Sequence, residues 1–401
     1  MSQTPQYNWL RKHKELYDRE INSLKYAGLL SVDSSDPLVL RQAYFVFNKF
    51  IIATIFFFAI TLFADICANM HDLSIVTDDG CVFVGICLVL FKTMNFQFRR
   101  EKIVCLIEEI LMCGEELCKA SGECVKRLCG AIQKPYTVLC FYGFSVLGFL
   151  LLTALILFAP EGSLPIRAKY PVDATKTPWY EVAFTLQTFA LAGGVLAILS
   201  IDSTICSLCN DMIMISDALN LNFEHCRDVV DVSDVSLNEF RDLMQNYNTG
   251  QTKKNFVKNF KKYLRIHQRL IAALAGHNKI FSSSMLVQLL SSTLVICLTG
   301  FQAVVGSNVL RFGMYLISAV SQLLHICWIG NELIHSVDRS QWLSHWNNKP
   351  LSDVAMLMIL STMFSRQPFR IKAGSFYTIS LDTFVAVRVF FCLSGKILIS
   401  T

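Results

Sequence analysis

Charged residues are scarce in this chain of 401 residues. Asp, Glu, Lys and Arg make up 17% of it, well below the roughly 25% of ordinary soluble domains. Hydrophobic residues make up 53%, thirty residues are phenylalanine, and the mean hydropathy is +0.44. The net charge of +5 is too mild to indicate a nucleic-acid-binding protein. The composition is therefore that of a membrane protein.

Signals for secretion, modification and catalysis are missing as well. The first twenty residues, MSQTPQYNWLRKHKELYDRE, contain no apolar signal-peptide core, so we expect the first membrane span to direct insertion. The sequence contains no N-x-S/T sequon, Gly-rich phosphate loop or nucleophile motif. Among fifteen cysteines, the pair Cys206 and Cys209 has no companion CxxC or His pair for a zinc site. We expect no enzyme, no metal and no cofactor.

Long apolar runs dominate what is present. A helix needs about 20 mostly apolar residues to cross a bilayer, and seven segments approach that length. Lys92 interrupts the second, and Asp382, Arg388 and Lys396 interrupt the seventh. The sequence predicts an all-α membrane protein with seven transmembrane helices. The predicted spans are 44–64, 81–98, 135–160, 182–201, one within 280–310, 312–330 and 375–401.

The distribution of Lys and Arg predicts the orientation in the membrane. The N-terminal segment and the second, fourth and sixth loops hold 28 of these residues, whereas the first, third and fifth loops hold four. Cytoplasmic loops carry the excess of positive charge. We therefore expect a cytoplasmic N-terminus and, after seven spans, an extracellular C-terminus. This orientation is the reverse of that of a G-protein-coupled receptor and argues against that class.

Helical patterns continue beyond the membrane on the cytoplasmic side. Apolar residues recur at helical spacing from Ile103 to Leu111 and from Phe256 to Leu274, which predicts that the second and fifth spans extend into the cytosol. The run VAMLMILSTMFS, residues 354–365, is apolar nearly all round but too short to cross a bilayer. We expect a buried assembly helix between subunits, including Val354, Leu357 and Leu360.

Few polar residues in the spans are candidates for function. Gln322 and His325 lie in the sixth span, and polar groups at membrane depth usually face a cavity or a partner. His267 lies on an apolar helix face and is interpreted as a packed cytoplasmic residue. Cys67 and Cys81 flank the first outer loop, and whether they form a disulfide is left open by the sequence.

Four stretches of the sequence resemble motifs of one family. LPIRAKYPVDATKTPWYEVAFTLQ is similar to an outer loop leading into a fourth span, RIHQRLI to a stretch before the fifth, and CWIGNELIHS to the end of the sixth. PFRIKAGSFYTISLDTF is the most specific match and resembles a C-terminal signature. With the length, seven spans and orientation, the whole chain resembles the insect odorant receptors. It lacks the long fourth-loop insertion expected of the shared co-receptor, so it resembles a ligand-tuning subunit.

This resemblance implies a function and a set of partners. Members of the family are ligand-gated non-selective cation channels in the plasma membrane of olfactory sensory neuron dendrites. A small volatile hydrophobic ligand opens them, and tuning subunits assemble with the co-receptor into heterotetramers surrounded by membrane lipid. The expected regions are a cytoplasmic N-terminal segment (1–43), six transmembrane helices with the pocket (44–330), a cytoplasmic anchor (331–374) and a pore-lining seventh helix (375–401).

The resemblance also implies the place of the ligand pocket, between the second, third, fourth and sixth spans in the outer half of the bilayer. Helical spacing selects one face of each span. For any one position, ordinary helix packing is an equally good interpretation. The candidate residues are Phe83, Cys87 and Leu90 on the second span, Tyr142, Ser145, Phe149 and Thr153 on the third, Phe184, Gln187, Thr188 and Leu191 on the fourth, and Tyr315, Ser318 and Gln322 on the sixth.

The last helix is expected to line the pore. Matching FYTISLD to the family signature implies that Ile397 and Thr401 form the outer gate, with Phe390 and Ser394 continuing the stripe inward. Arg388 precedes Ile397 by nine residues, which places it on the opposite face. We expect Arg388 to face protein, because a ring of arginines would repel the cations that pass.

Two alternatives stay open at this point. A gustatory receptor of the same superfamily would share the topology, and dependence of current on the odorant co-receptor would separate the two. A secondary transporter, a different class, would show internal repeats and broken helices near the midplane, and no repeat is found in the sequence. The identity of the odorant, the stoichiometry with the co-receptor and independent conduction by this subunit are also undetermined by the sequence.

Overall fold

The computed structural model of the chain describes residues 37–118, 164–224 except 175, 250–305, 309–337 and 370–387, with Asn22, Leu24, Lys25, Leu29 and Gly148 in addition. Its longer elements are six helices and one two-stranded ribbon. The helices are α1 (Leu38–Ala68), α2 (Leu73–Phe98), α3 (Arg100–Cys118), α4 (Trp179–Glu224), α5 (Gly250–Val305) and α6 (Val309–Val337), and the strands are β1 (Lys372–Ala373) and β2 (Tyr377–Thr378).

Five of the described helices, α1, α2, α4, α5 and α6, are long and apolar enough to cross a membrane. They contain the predicted first, second, fourth, fifth and sixth spans. At 1.5 Å per residue, the 46 residues of α4 and the 56 residues of α5 give lengths of about 70 and 84 Å. Both helices exceed the roughly 30 Å hydrocarbon core, which confirms the predicted extension of the fifth span. The predicted third span, apart from Gly148, and the assembly helix lie outside the described residues.

Local signals explain where α2 begins and ends. The side chain of Asp72 accepts hydrogen bonds from the backbone N–H groups of Ser74 and Ile75, as an N-cap residue does. The helix ends at Arg99, whose guanidinium donates to the backbone oxygens of Lys279 and Ile280 on α5. The chain then continues directly into α3, which confirms the predicted helical extension of the second span. The two helices are separated only at Arg99.

A bundle on the predicted cytoplasmic side, which we call the cytoplasmic bundle, consists of α3, the second half of α4 and the first half of α5. The apolar side chains on its inner faces are buried, and the ring of Phe223 packs edge to face against those of Phe260 and Tyr263 at centroid distances of 5.5 and 6.0 Å. His267 is buried in the same bundle, as its position on the apolar face predicted. The long helices therefore pack into a dense core beyond their membrane-spanning segments.

A short hairpin connects to α5 before the last helix begins. Lys372 pairs with Thr378 and Ala373 with Tyr377 in antiparallel register. Gly374 turns the chain with a φ of 65°, a conformation that glycine adopts without strain, and its N–H donates to the backbone oxygen of Ser282 at 2.9 Å. Helical geometry begins only at residue 381. The predicted start of the seventh span at residue 375 is therefore wrong, because the ribbon occupies the chain to residue 378.

Candidate ligand pocket

The three candidate residues of α2 lie in different environments. Phe83 is half-buried and packs against Phe63 of α1, with ring centroids 5.8 Å apart. Cys87 is exposed, and Leu90 is half-buried against the core. Cys67 and Cys81 are not joined by a disulfide. Phe83 therefore lies on the side of α2 that meets α1.

The candidates on α4 are mostly engaged within the protein. Thr188 donates its hydroxyl hydrogen to the backbone oxygen of Phe184 at 2.9 Å. Phe184 is half-buried and its ring lies 6.1 Å from that of Tyr180, whereas Leu191 is part of the core. Phe184 and Thr188 are therefore the residues of this group that keep accessible surface.

Gln187 holds the outer loop against α4. It is fully buried, its Nε2 donates to the backbone oxygen of Ile166 at 2.8 Å, and its Oε1 accepts from the backbone N–H of Ile166 at 3.2 Å. The loop is fastened to α1 as well, since Arg167 forms an ion pair with Asp65 at 3.0 Å. We call residues 164–170, which belong to the predicted outer loop, the outer lid. Gln187 is thus a structural clamp for this lid.

The candidates on α6 form a half-buried stripe. Tyr315, Ser318 and Gln322 are spaced by one helical turn and all keep part of their surface accessible. The ring of Tyr315 lies 6.4 Å from that of Phe312, edge to face. This stripe leads inward from the outer end of α6 to Gln322.

Gln322 belongs to a group of polar side chains that joins four helices. We call this group the polar cluster, and its members are Lys92, Asp202, Gln288, Ser292 and Gln322. Lys92 of α2 forms an ion pair with Asp202 of α4. The amide of Gln322 donates to Asp202 Oδ2 at 2.7 Å and accepts from Gln288 of α5 at 3.0 Å. Gln288 also donates to Ser292 Oγ at 3.0 Å.

The polar cluster satisfies charges that would otherwise be costly. Lys and Asp within a bilayer are expensive unless they are paired, and the side chain of Lys92 is 0% exposed. Along the sequence, Lys92 is only an interruption of a span, and the pocket prediction omits Asp202. The available signal was a charge inside the second apolar span and an opposite charge directly at the end of the fourth, because a buried charge needs a partner.

The remaining predicted site residues lie outside the described part of the chain. These are the candidates on the third span, the assembly residues and the pore residues: Tyr142, Ser145, Phe149, Thr153, Val354, Leu357, Leu360, Phe390, Ser394, Ile397 and Thr401, together with Arg388.

Comparison with known proteins identifies the group of relatives. Residues 72–390 match the family model described as 7tm Odorant receptor. The chain is similar to Odorant receptor 13a of Drosophila melanogaster, with 23% identity across 87% of this chain and 85% of that protein. It is also similar to the Odorant receptor coreceptor of the same species, with 29% identity across 34% of this chain and 30% of that protein.

Two solved structures share the architecture. The insect olfactory receptor OR5 from Machilis hrabei superimposes with a TM-score of 0.76 at 14% identity, covering 97% of this chain and 98% of that chain. The same receptor in complex with eugenol superimposes with a TM-score of 0.74 at 15% identity, covering 98% of this chain and 99% of that one. At this identity the likeness concerns the fold, an all-α bundle with seven transmembrane helices.

Proposed function

The chain belongs to the 7tm odorant receptor family, and from that premise we propose that it is the odorant-binding subunit of a ligand-gated, non-selective cation channel. The observation that carries the proposal is the match of residues 72–390 to the family model. The five described helices that can span a membrane support a multi-pass membrane protein. We place it in the plasma membrane of olfactory sensory neuron dendrites.

The proposed ligand is a small, volatile, mostly apolar molecule. A pocket of this kind gains affinity from shape and apolar contact, with few polar groups for orientation. A related receptor was solved in complex with eugenol, which supports a small organic ligand here. In the described helices, the half-buried residues Leu90, Phe184, Tyr315 and Ser318 are the best candidates for contact. Tyr142, Ser145, Phe149 and Thr153 complete the proposed pocket from the third span.

The proposed channel is a heterotetramer with the odorant receptor co-receptor. Similarity to a coreceptor supports a shared assembly surface. We place that surface on residues 331–374, including Val354, Leu357 and Leu360. The last helix would line the pore, with Phe390, Ser394, Ile397 and Thr401 facing the ions and Arg388 facing protein. The hairpin on α5 would link this helix to the pocket helices.

Co-expression with the co-receptor and current recording across a broad odorant panel test the proposed function. We expect odorant-evoked cation current that requires both chains, with no response of the co-receptor alone to the same odorants. Phe184→Ala should shift the half-maximal concentration of an active odorant and leave surface expression unchanged, because it removes ring contact in the pocket. If both chains reach the surface and no odorant of the panel evokes a current, the proposal is contradicted.

A further inference from the structure

We propose that the polar cluster selects the functional group of the odorant: Asp202, held by Lys92 and flanked by Gln322, binds the hydroxyl group of an alcohol or phenol. This inference rests on the proposed function, because it concerns the ligand of the same pocket. It adds the class of ligand, and it assigns a recognition role to two residues that the pocket prediction did not contain.

The position of the cluster is the first support. Gln322 is the innermost residue of the half-buried α6 stripe, one turn beyond Ser318. Lys92 lies two residues beyond Leu90 on α2, on a face that meets α4 through Asp202. Asp202 contacts both of these helices through its ion pair with Lys92 and its hydrogen bond with Gln322. We infer that the exposed edge of Asp202 borders the space enclosed by α2, α4 and α6, at the inner end of the pocket.

The accessibility of the individual groups is the second support. The side chain of Lys92 is 0% exposed, whereas that of Asp202 is 14% exposed and Gln322 is half-buried. Gln288 and Ser292 are buried. A ligand that reaches the cluster therefore meets the carboxylate of Asp202 and the amide of Gln322, with the lysine sealed behind them.

The charge of Asp202 determines how the Gln322 amide is oriented. A carboxylate only accepts hydrogen bonds, so the NH₂ group of Gln322 must face it. The donation from Gln288 to Gln322 Oε1 agrees with that orientation. Asp202 accepts one bond at each oxygen from the cluster, which leaves further lone pairs, and Gln322 keeps one N–H.

A hydroxyl group fits this arrangement better than odorant groups that lack a hydrogen-bond donor. It donates to the carboxylate, and its lone pairs can accept from an N–H. A ketone or an ether has no donor and would place an oxygen lone pair against the carboxylate. An alkane would displace water from the carboxylate without replacing its hydrogen bonds. Hydrogen bonds to charged groups are stronger than those between neutral groups, so Asp202 dominates the choice.

The experiment compares odorants of matched shape. For each carbon skeleton, the alcohol, its methyl ether, the ketone and the alkane are applied to cells that express this chain with the co-receptor. We expect the half-maximal concentration of the alcohol to be about tenfold lower than that of the ketone. If the wild type responds to the ketone or the alkane as strongly as to the alcohol, or more strongly, the inference is overturned and no variant is needed to show it.

Variants of the ion pair separate recognition from folding. The double substitution Lys92→Met with Asp202→Leu replaces the pair by apolar residues, which commonly preserves a fold, and should reduce the alcohol preference to about twofold or less. The exchange Lys92→Asp with Asp202→Lys keeps an ion pair but presents a donor-only ammonium, and should move the preference toward the ketone. A purely structural role would change current amplitude for all odorants equally.

Gln302→Leu is the matched control. Gln302 is a buried glutamine of α5 that donates to Ser74 and Thr77 of α2, away from the cluster. We expect a lower surface level and an unchanged order of odorants. An alcohol preference that survives in the apolar double variant would overturn this inference and leave the proposed function intact. Silence of the wild type to every skeleton, with both chains at the surface, would instead overturn the proposed function and the inference with it.

Discussion

The cytoplasmic bundle and the outer half of the membrane helices are built differently. In the bundle, large side chains such as Phe223 and Phe260 are sealed from solvent and pack directly on one another. In the described part of the outer half, Phe83, Phe184 and Tyr315 remain half-buried. Close packing gives rigidity, whereas incompletely covered side chains leave surface for a ligand. The bundle is therefore packed as a scaffold, whereas the region of the proposed pocket keeps side-chain surface accessible.

The strongest test of this contrast is a cavity in the cytoplasmic bundle. Phe260 is 1% exposed, and truncating a buried Phe to Ala costs about 3–5 kcal/mol. We expect Phe260→Ala to remove most receptor from the cell surface, measured by labelling an extracellular tag. Lys262→Ala, two residues away on the exposed face, is the control and should retain its surface level. Similar surface levels for the two variants would show that the bundle is not the rigid part.

A second test concerns the close contact between α6 and Ile379, the residue that follows the hairpin. A Cβ atom added at Gly330 would lie 2.5 Å from the backbone oxygen of Ile379, so Gly330→Ala requires the chain to move. Overpacking of this kind costs about 1–3 kcal/mol. We expect the odorant-evoked current to fall further than the surface level, because residue 379 leads into the last helix.

Gly313→Ala is the matched control on the same helix, since no atom of the described residues lies within 4 Å of its added Cβ. Its current and surface level should equal those of the wild type. If Gly330→Ala and Gly313→Ala gave the same current, close contact between α6 and Ile379 would not matter for opening.

A third test weakens the outer half alone. Gln187→Leu leaves the backbone N–H and oxygen of Ile166 without their partners, and unsatisfied buried groups cost about 1–3 kcal/mol. We expect the outer lid to become sensitive to protease added outside the cell, while the cytoplasmic bundle stays folded. Thr185→Val, at an exposed position two residues away, should not change cleavage. Equal resistance of the two variants would exclude the clamp role of Gln187.

The smallest effect concerns thiol chemistry on α3, within the rigid region. Cys105 is exposed, whereas Cys113 is buried, and burial raises the pKa of the Cys113 thiol to about 11. Its reactive thiolate is therefore rare at neutral pH and increases only as the pH approaches that value. Peptide mass spectrometry after maleimide treatment of permeabilised cells should detect label on Cys105 and little on Cys113. Comparable labelling of both would indicate that the bundle opens.

Local patterns in the sequence predict most of the helices. The apolar runs at α1, α2, α4, α5 and α6 had to become helices, because a segment in lipid must satisfy its backbone hydrogen bonds internally. The helical spacing of apolar residues after Arg99 and before the fifth span predicts the cytoplasmic extensions for a related reason, since an apolar face needs a partner. The predicted start of the seventh span is misplaced, because a ribbon that depends on contacts with Ser282 and Asn278 has no strong local signal.

Composition, the length of apolar runs and motifs are properties of short segments, so they are enough to predict a helical membrane protein of the odorant receptor type. The partners of individual polar residues follow instead from the packing of the helices. Lys92 and Asp202 are 110 positions apart, and their pairing depends on how α2, α4 and α6 pack. Gln187 similarly faces Ile166 because the outer lid folds back onto α4. Side-chain partners are set by three-dimensional proximity, which the spacing of residues along one helix does not specify.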